Sequence, residues 1–157
     1  MSISALCRRV VVTIHRQATT EDAARLMRSN HIGDLVVVDA ADTGVPVGMI
    51  TDRDIVVQVI AQGLAPAQTT VGSVMSAPVV TVREDDGFIQ ALDKMTGRGV
   101  RRAPIVDPDG RIRGLVSVDD LVRLLARELA KVGALIAHEQ AAEIQKTEKS
   151  LSNEFAK

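Results

Sequence analysis

Gly48-Met49-Ile50-Thr51-Asp52-Arg53-Asp54 occurs a second time, in altered spelling, as Gly114-Leu115-Val116-Ser117-Val118-Asp119-Asp120. Each stretch reads as a strand turning into a helix. A glycine and two apolar residues lead to a hydroxyl residue, Thr51 or Ser117, and an aspartate follows three positions later. A hydroxyl with an acid at plus three is a helix-start signature, because the hydroxyl accepts from the third helical N–H and the acid reaches back to the cap's own N–H. The same corner gathers unpaired N–H groups and the positive end of the helix dipole, which suits an anion.

Working outward, the duplication covers most of the chain. Val11-Val12-Thr13-Ile14 matches Val79-Val80-Thr81-Val82 at a shift of 68 residues, and Leu26-Met27 answers Lys94-Met95 at the same shift. Val37-Val38-Asp39 answers Ile105-Val106-Asp107, after which the shift falls to 66. The two-residue difference falls in a turn rich in Gly, Asp and Pro, where length changes are tolerated. Two copies are too few for a solenoid, so a closed pair packing on each other is expected.

Periodicity gives each copy the order β-α-β-β-α. In copy one, apolar β-branched Val10–Ile14 predicts a short buried strand. Thr19 or Thr20 caps a helix with Glu21 and Asp22 in its first turn, and Asn30 closes it. Leu35–Val38 and Val47–Ile50 predict a hairpin. A second helix, 52–61, directs Ile55, Val56, Val59 and Ile60 inward, and Gly63 ends it. Copy two repeats the pattern with strands Val79–Val82, Ala103–Val106 and Ile112–Val116, a helix from Asp86 to Thr96, and another from Val118 onward. Val71–Met75 predicts a single helical turn, and Leu6-Cys7 occupies the same place before copy one, which gives Cys7 an apolar slot. Leu121, Leu125, Leu129, Val132 and Ile136 form an apolar stripe on a long last helix.

Composition bounds the class. The chain has 157 residues, 46% of them hydrophobic, enough for a real core. Lys plus Arg is 19 against 20 Asp plus Glu, a net charge of −1, which argues against a general polyanion binder. Phe88 and Phe155 are the only aromatic residues, so base-stacking platforms for single strands are lacking too. No apolar run is long enough to span a membrane. The first twelve residues lack a secretory apolar core. With one cysteine no internal disulfide forms, and a cytoplasmic setting is the default expectation. His15, His31 and His138 show no paired ligand spacing, so no metal site is expected. Cys7 has no nearby histidine, and Asp85-Asp86 reads as a favourable pair at a helix start.

With this order, the duplication and the doubled helix-start stretch in hand, the sequence resembles a tandem pair of CBS domains, the Bateman module. The resemblance rests on "HIGDLVVVD" (31–39), "VRRAPIVD" (100–107), "GMITDRD" (48–54) and "GLVSVDD" (114–120), and covers roughly residues 3–130. It implies an α+β fold in which two β-α-β-β-α repeats pack through their sheets about a pseudo-twofold axis. The expected division is repeat one at 3–62, a linker at 63–70, repeat two at 71–130 and a helical extension at 131–157.

The resemblance also implies two clefts that take adenosine-containing ligands: AMP, ADP, ATP or S-adenosylmethionine. Carried over by position, Asp54 and Asp120 accept from ribose hydroxyls, and Thr51 and Ser117 meet ribose or phosphate. Backbone around Gly33-Asp34-Leu35 and Ala103-Pro104-Ile105 reads the adenine edge. Thr13 and Thr81 line the clefts with Val12 and Val80. Ile50 and Val116 offer adenine a flat surface, and Arg53, Arg98, Arg101 and Arg102 meet phosphates. Gly33-Asp34 stands where copy two has Arg101-Arg102, so the clefts differ by about three charges, and an anion is expected to favour the arginine side. Charge-assisted bonds to ribose are worth about 1.5–3 kcal/mol each, and micromolar to millimolar affinity follows for an open cleft, about −4 to −8 kcal/mol. The expected function is a non-enzymatic regulatory module with no resident cofactor, a homodimer that signals to a protein partner. The alternative is an interaction protein with no ligand.

Overall fold

The structure is a computed structural model that describes the backbone of residues 10–154 apart from 40 and 43, and side chains as far as residue 146. The slot expected for Cys7 lies outside the described residues. The chain divides into two units, Met1–Val118 and Asp119–Lys157. The first contains the paired strands; the second is helical.

Copy one contributes β1 (Thr13–His15), α1 (Thr20–Asn30), β2 (Asp34–Val38) and β3 (Pro46–Thr51), then α2, which opens at Asp52–Asp54 and continues over Ile55–Ile60. Copy two contributes α3 (Val71–Val74), β4 (Val82–Arg83), α4 (Phe88–Thr96), β5 (Arg102–Val106), β6 (Ile112–Ser117) and the start of α5 (Val118–Glu154). Each copy forms a three-stranded sheet with its second strand central, parallel to the first and antiparallel to the third. The registers repeat as well: Asp34 lies opposite Thr51 and Arg102 opposite Ser117, with a bulge after Val37 and after Ile105.

The caps follow local chemistry. Thr19 caps α1: its Oγ1 accepts from Asp22 N, and Asp22 Oδ2 accepts from Thr19 N and Oγ1. Those bonds hold the Asp22 carboxyl below its ordinary value. The α1 helix stops at His31, which adopts the left-handed conformation with φ 53°. Copy one's core collects Ile14, Ala23, Met27, Leu35, Val37, Ile50 and Ile55. The short α3, although it opens copy two, sends Val71 into that same core. It is lashed there by Val71 N donating to Ala18 O and Gly72 N to Arg16 O, at 2.8 Å each. Gly48 permits the approach, since a Cβ there would sit 2.6 Å from Met75 Sδ and 3.1 Å from Ser76 O. Between the copies, Val36, Met49 and Leu115 form a second core with Val11, Val79 and Ile112.

Four expectations are corrected. Val10 is exposed and outside any strand. The ladder toward β2 begins with Val36 N donating to Val12 O at 3.2 Å. In copy two the first strand shrinks to Val82–Arg83. Pro104 stands where copy one has Val36, and proline has no N–H to offer the Val80 carbonyl. The helix expected from Asp86 starts at Phe88, with Gly87 N donating to Gln90 Oε1 at 2.7 Å. Asp86 is instead a buried anchor, accepting from Arg83 N at 2.8 Å and Lys94 Nζ at 2.5 Å. Finally, α2 widens to π winding over Ile55–Ile60, with Ala61 N donating five residues back to Val56 O. The wide turn stacks Ile55 on Val59 as one row and Val56 on Ile60 as another. Only the first row is buried; Val56 and Ile60 are exposed.

Candidate functional site

The residues singled out from sequence assemble through strand register. On copy one, Asp34 faces Thr51 and Leu35 faces Ile50 across the β2–β3 hairpin, and Thr13 lies beside Val36 on β1. On copy two, Arg102 faces Ser117, Ala103 faces Val116 and Pro104 faces Leu115. Each set therefore sits where a hairpin's open end meets the next helix. Asp54 lies in the first turn of α2 and Asp120 in the first turn of α5.

The Thr51–Asp54 box is closed. Asp54 N donates to Thr51 Oγ1 at 3.1 Å, while Asp54 Oδ2 accepts from Thr51 N and from Thr51 Oγ1 at 2.8 Å each. All of these carboxylate bonds fall on one oxygen, which leaves Oδ1 for another donor. Capping and ligand contact are thus compatible in one side chain. Asp120 lies 3.6 Å from Arg123 Nη1. Arg53 is exposed beside Asp54, and the carboxylate of Asp52 crowds Gly33, where an added Cβ would come 2.9 Å from Oδ2. Copy one's corner therefore gathers the carboxylates of Asp34, Asp52 and Asp54, with Arg53 exposed beside them.

The two sets meet at an ion pair. Arg102 Nε lies 3.1 Å from Asp34 Oδ1, with the aspartate 5% exposed and the arginine side chain 36%. The N–H is misdirected, so Nε is buried without a hydrogen bond among the described residues. The expected three-charge difference between clefts is correspondingly reduced, because Asp34 already compensates one of the arginines.

A second correction concerns the adenine surface. Ile50 and Val116 have no exposed area, and Leu35 and Ala103 have 1% and none. These side chains belong to strands covered on that face, and Ile50 lies in copy one's core. They form the floor beneath the corner and present no open face to a ring.

A hollow of about 520 Å3 lies in copy two between the segment before β4 and the end of α4. Val79, Val80, Thr81, Asp93, Lys94 and Arg98 line it. That volume falls in the range of small-molecule sites. A smaller hollow of about 30 Å3 is lined by Val12, Ile32, Asp34 and Leu115 among others. Thr81, Val80 and Arg98 were expected near a ligand; Asp93 and Lys94 were not. The signal was present, since Lys94 answers Leu26 in the repeat alignment. Leu26 packs on copy one's core, whereas Lys94 reaches Asp86 and leaves the space beside it open. Among the described residues, no group of three or more His, Cys, Asp or Glu could hold a metal ion, and no helix is long and apolar enough to cross a membrane.

The CBS-domain sequence profile matches residues 3–60 and 71–127. The chain belongs to the CBS-domain family. An uncharacterised protein of Methanopyrus kandleri is 37% identical over 124 residues, which are 79% of this chain and 62% of that protein. The chain thus spans less than two thirds of that relative's length. Among solved structures, a CBS domain protein from Pyrobaculum aerophilum complexed with AMP superposes with a TM-score of 0.73 at 27% identity, covering 83% of this chain and 99% of that one. The CBS domain pair of protein MJ0100, in complex with 5′-methylthioadenosine and S-adenosyl-L-methionine, gives 0.71 at 26% identity, covering 82% and 98%. The CBS pair accounts for the two matching sheets, their equivalent registers and the ion pair between residues at equivalent positions.

Proposed function

We propose that this CBS pair is a regulatory module that binds an adenosine-containing ligand, performs no chemistry on it and reports its presence to a partner protein. The observation that carries this reading is the convergence of Thr51, Asp54 and Asp34 with Arg102 and Ser117 at one junction between the copies. Two relatives of the same fold hold AMP or S-adenosylmethionine. Asp54 and Asp120 accept from ribose hydroxyls, Asp54 through the oxygen that capping does not use. Thr51 and Ser117 lie beside them, and Arg102, with Arg53, Arg98 and Arg101, supplies positive charge for phosphate.

The ion pair gives such a ligand leverage. A phosphate near Arg102 competes with Asp34 for the guanidinium and weakens a bond between the copies. Because a ligand shifts an equilibrium only through differential affinity for its states, this competition links occupancy to the copies' arrangement. In this reading the repeats occupy 3–62 and 71–130, and the protein is cytoplasmic and homodimeric. Exposed Val56, Val57, Ile60 and Leu64 supply apolar area for self-association.

The deciding experiment uses the missing chromophores. With no Trp or Tyr, the purified protein absorbs little at 280 nm, so co-purified nucleotide appears as a peak near 260 nm, and calorimetry with AMP, ATP and S-adenosylmethionine ranks the candidates. Micromolar to millimolar binding of one of them is expected. No heat with any, together with a nucleotide-free preparation, sinks the sensor reading and leaves a ligand-free interaction module; sustained ATP turnover by pure protein makes it an enzyme.

A further inference from the structure

The second unit carries a feature that nucleotide sensing does not use. Helix α5 runs for 37 residues, about 55 Å at 1.5 Å per residue. Leu121 and Leu124, near its start, are buried. Beyond them, Val122, Leu125, Leu129, Val132 and Ile136 are 59%, 49%, 62%, 55% and 51% exposed. Their spacings alternate three, four, three, four. This is the heptad alternation that keeps one apolar seam facing a partner helix. Ala126, Ala130, Gly133 and Ala137 each follow a seam residue by one position and make a second row beside it. A row of large side chains next to a row of small ones is complementary to a copy of itself. Arg123, Arg127, Lys131 and His138 occupy the opposite side of the helix.

We infer that this seam pairs with the same seam of a second copy of the chain, antiparallel. The four seam residues that such a pairing covers, Val122, Leu125, Leu129 and Val132, expose roughly 400 Å2 per protomer, and exposed Ala126 and Ala130 beside them add to the contact, against the about 600 Å2 per partner at the lower end of stable interfaces. Charge sets the direction. The positions that continue the alternation are Glu139 and Glu143. A parallel pair places each glutamate against its own counterpart in the seam, where like charges repel. An antiparallel pair centred between Leu125 and Leu129 sets Leu125 against Leu129 of the second copy and Val122 against Val132 of the second copy. Both glutamates then lie past the end of the paired segment. The closed twofold geometry limits the contact to two chains.

The test is cross-linking of the full chain in a Cys7→Ser background. A Leu125→Cys chain coexpressed with a Leu129→Cys chain should give an inter-chain disulfide in most molecules on mild oxidation. Ile136→Cys alone should give none, because its counterpart lies far along the partner helix. Adding Val132→Glu to both coexpressed chains should cut the cross-link at least tenfold while the circular dichroism spectrum and melting temperature stay unchanged. Nucleotide binding enters none of these readouts, so failure of the seam and failure of the sensor reading are distinguishable. Cross-linking of Ile136→Cys to itself overturns the antiparallel seam. Failure of the 125–129 pair in a folded protein overturns the seam altogether, as does binding of the parent to anionic lipid vesicles that Leu129→Glu abolishes.

Discussion

Arg102 and Asp34 occupy equivalent positions in the two copies, and they bind each other: Nε lies 3.1 Å from Oδ1 across the junction. The sequence shift that relates the copies relates these two residues, so the internal symmetry carries opposite charges at one point and closes on itself there. Asp34→Asn releases Arg102 to an incoming phosphate. The expected result is several-fold tighter AMP binding together with a lower melting temperature, since a pair of a buried aspartate and a partly exposed arginine is worth about 1–2 kcal/mol. Arg102→Met should weaken AMP but not adenosine. If calorimetry returns equal affinities for the two Arg102 forms, the guanidinium does not meet phosphate.

Asp54 performs two tasks with two oxygens, and substitutions can separate them. Thr51→Ala removes the cap hydroxyl and should cost about 1 kcal/mol of stability. Asp54→Asn keeps an acceptor for the Thr51 N–H but loses the charge presented to ribose. It should therefore melt closer to the parent than Thr51→Ala does, yet bind AMP about tenfold more weakly at the copy-one site. Equal ligand affinity in the folded Asn variant would falsify the ribose role.

Pro104 ends the strand ladder beside the copy-two hollow. Its copy-one equivalent, Val36, donates to Val12 O and extends the ladder; Pro104 has no proton for Val80 O, and the residues before Val82 stay unpaired. Pro104→Val should extend β4 toward Val80, create an amide at position 104 that is protected from hydrogen exchange, and shrink the hollow lined by Val80 and Thr81. A ligand that uses this hollow should bind several-fold more weakly. An amide at that position exchanging as fast as an unpaired one shows that the proline is not what ends the strand.

Much of this was legible in the chain. Doubled motifs, capping pairs and β-branched runs act locally, so the order of elements, the two hairpins and the Thr19 and Thr51 caps follow from residues a few positions apart. What escaped involves distance or competition. The packing of α3 on the preceding copy depends on Gly48 admitting Met75, a contact between residues 27 apart. The widening of α2 leaves Val56 and Ile60 outside, although their spacing suits an inward face. Ile50 and Val116 look like a ligand platform in a motif but are consumed by the core. The Asp34–Arg102 pair needed the fold, because alignment shows opposite charges at matching positions without showing that the axis brings those positions together.

Asp107 gives a prediction about acid. It closes the turn between β5 and β6: Oδ1 accepts from Arg111 N at 2.8 Å and Asp109 N at 3.0 Å, and Oδ2 meets Arg113 Nη2 at 2.8 Å. The Arg111 N–H bond, with the charge and hydrogen bond of Arg113 and the Asp109 N–H, holds its carboxyl below the ordinary 3.8 despite the opposing effect of burial. A carboxyl depressed in the folded state binds fewer protons there than in the unfolded chain. Its contribution is complete above the unfolded value and is lost as pH falls through the folded one. Asp107→Asn should therefore melt lower than the parent at pH 7, and the gap should close below about pH 3.8 as the parent's own carboxyl protonates. Asp39, the copy-one equivalent, lies 3.6 Å from the Arg16 guanidinium, with both side chains more than a third exposed. Asp39→Asn should cost less stability at pH 7 than Asp107→Asn does. Melting curves of Asp107→Asn and the parent from pH 3 to 7 decide it: matched profiles mean that the turn's hydrogen bonds do not set the acid limb.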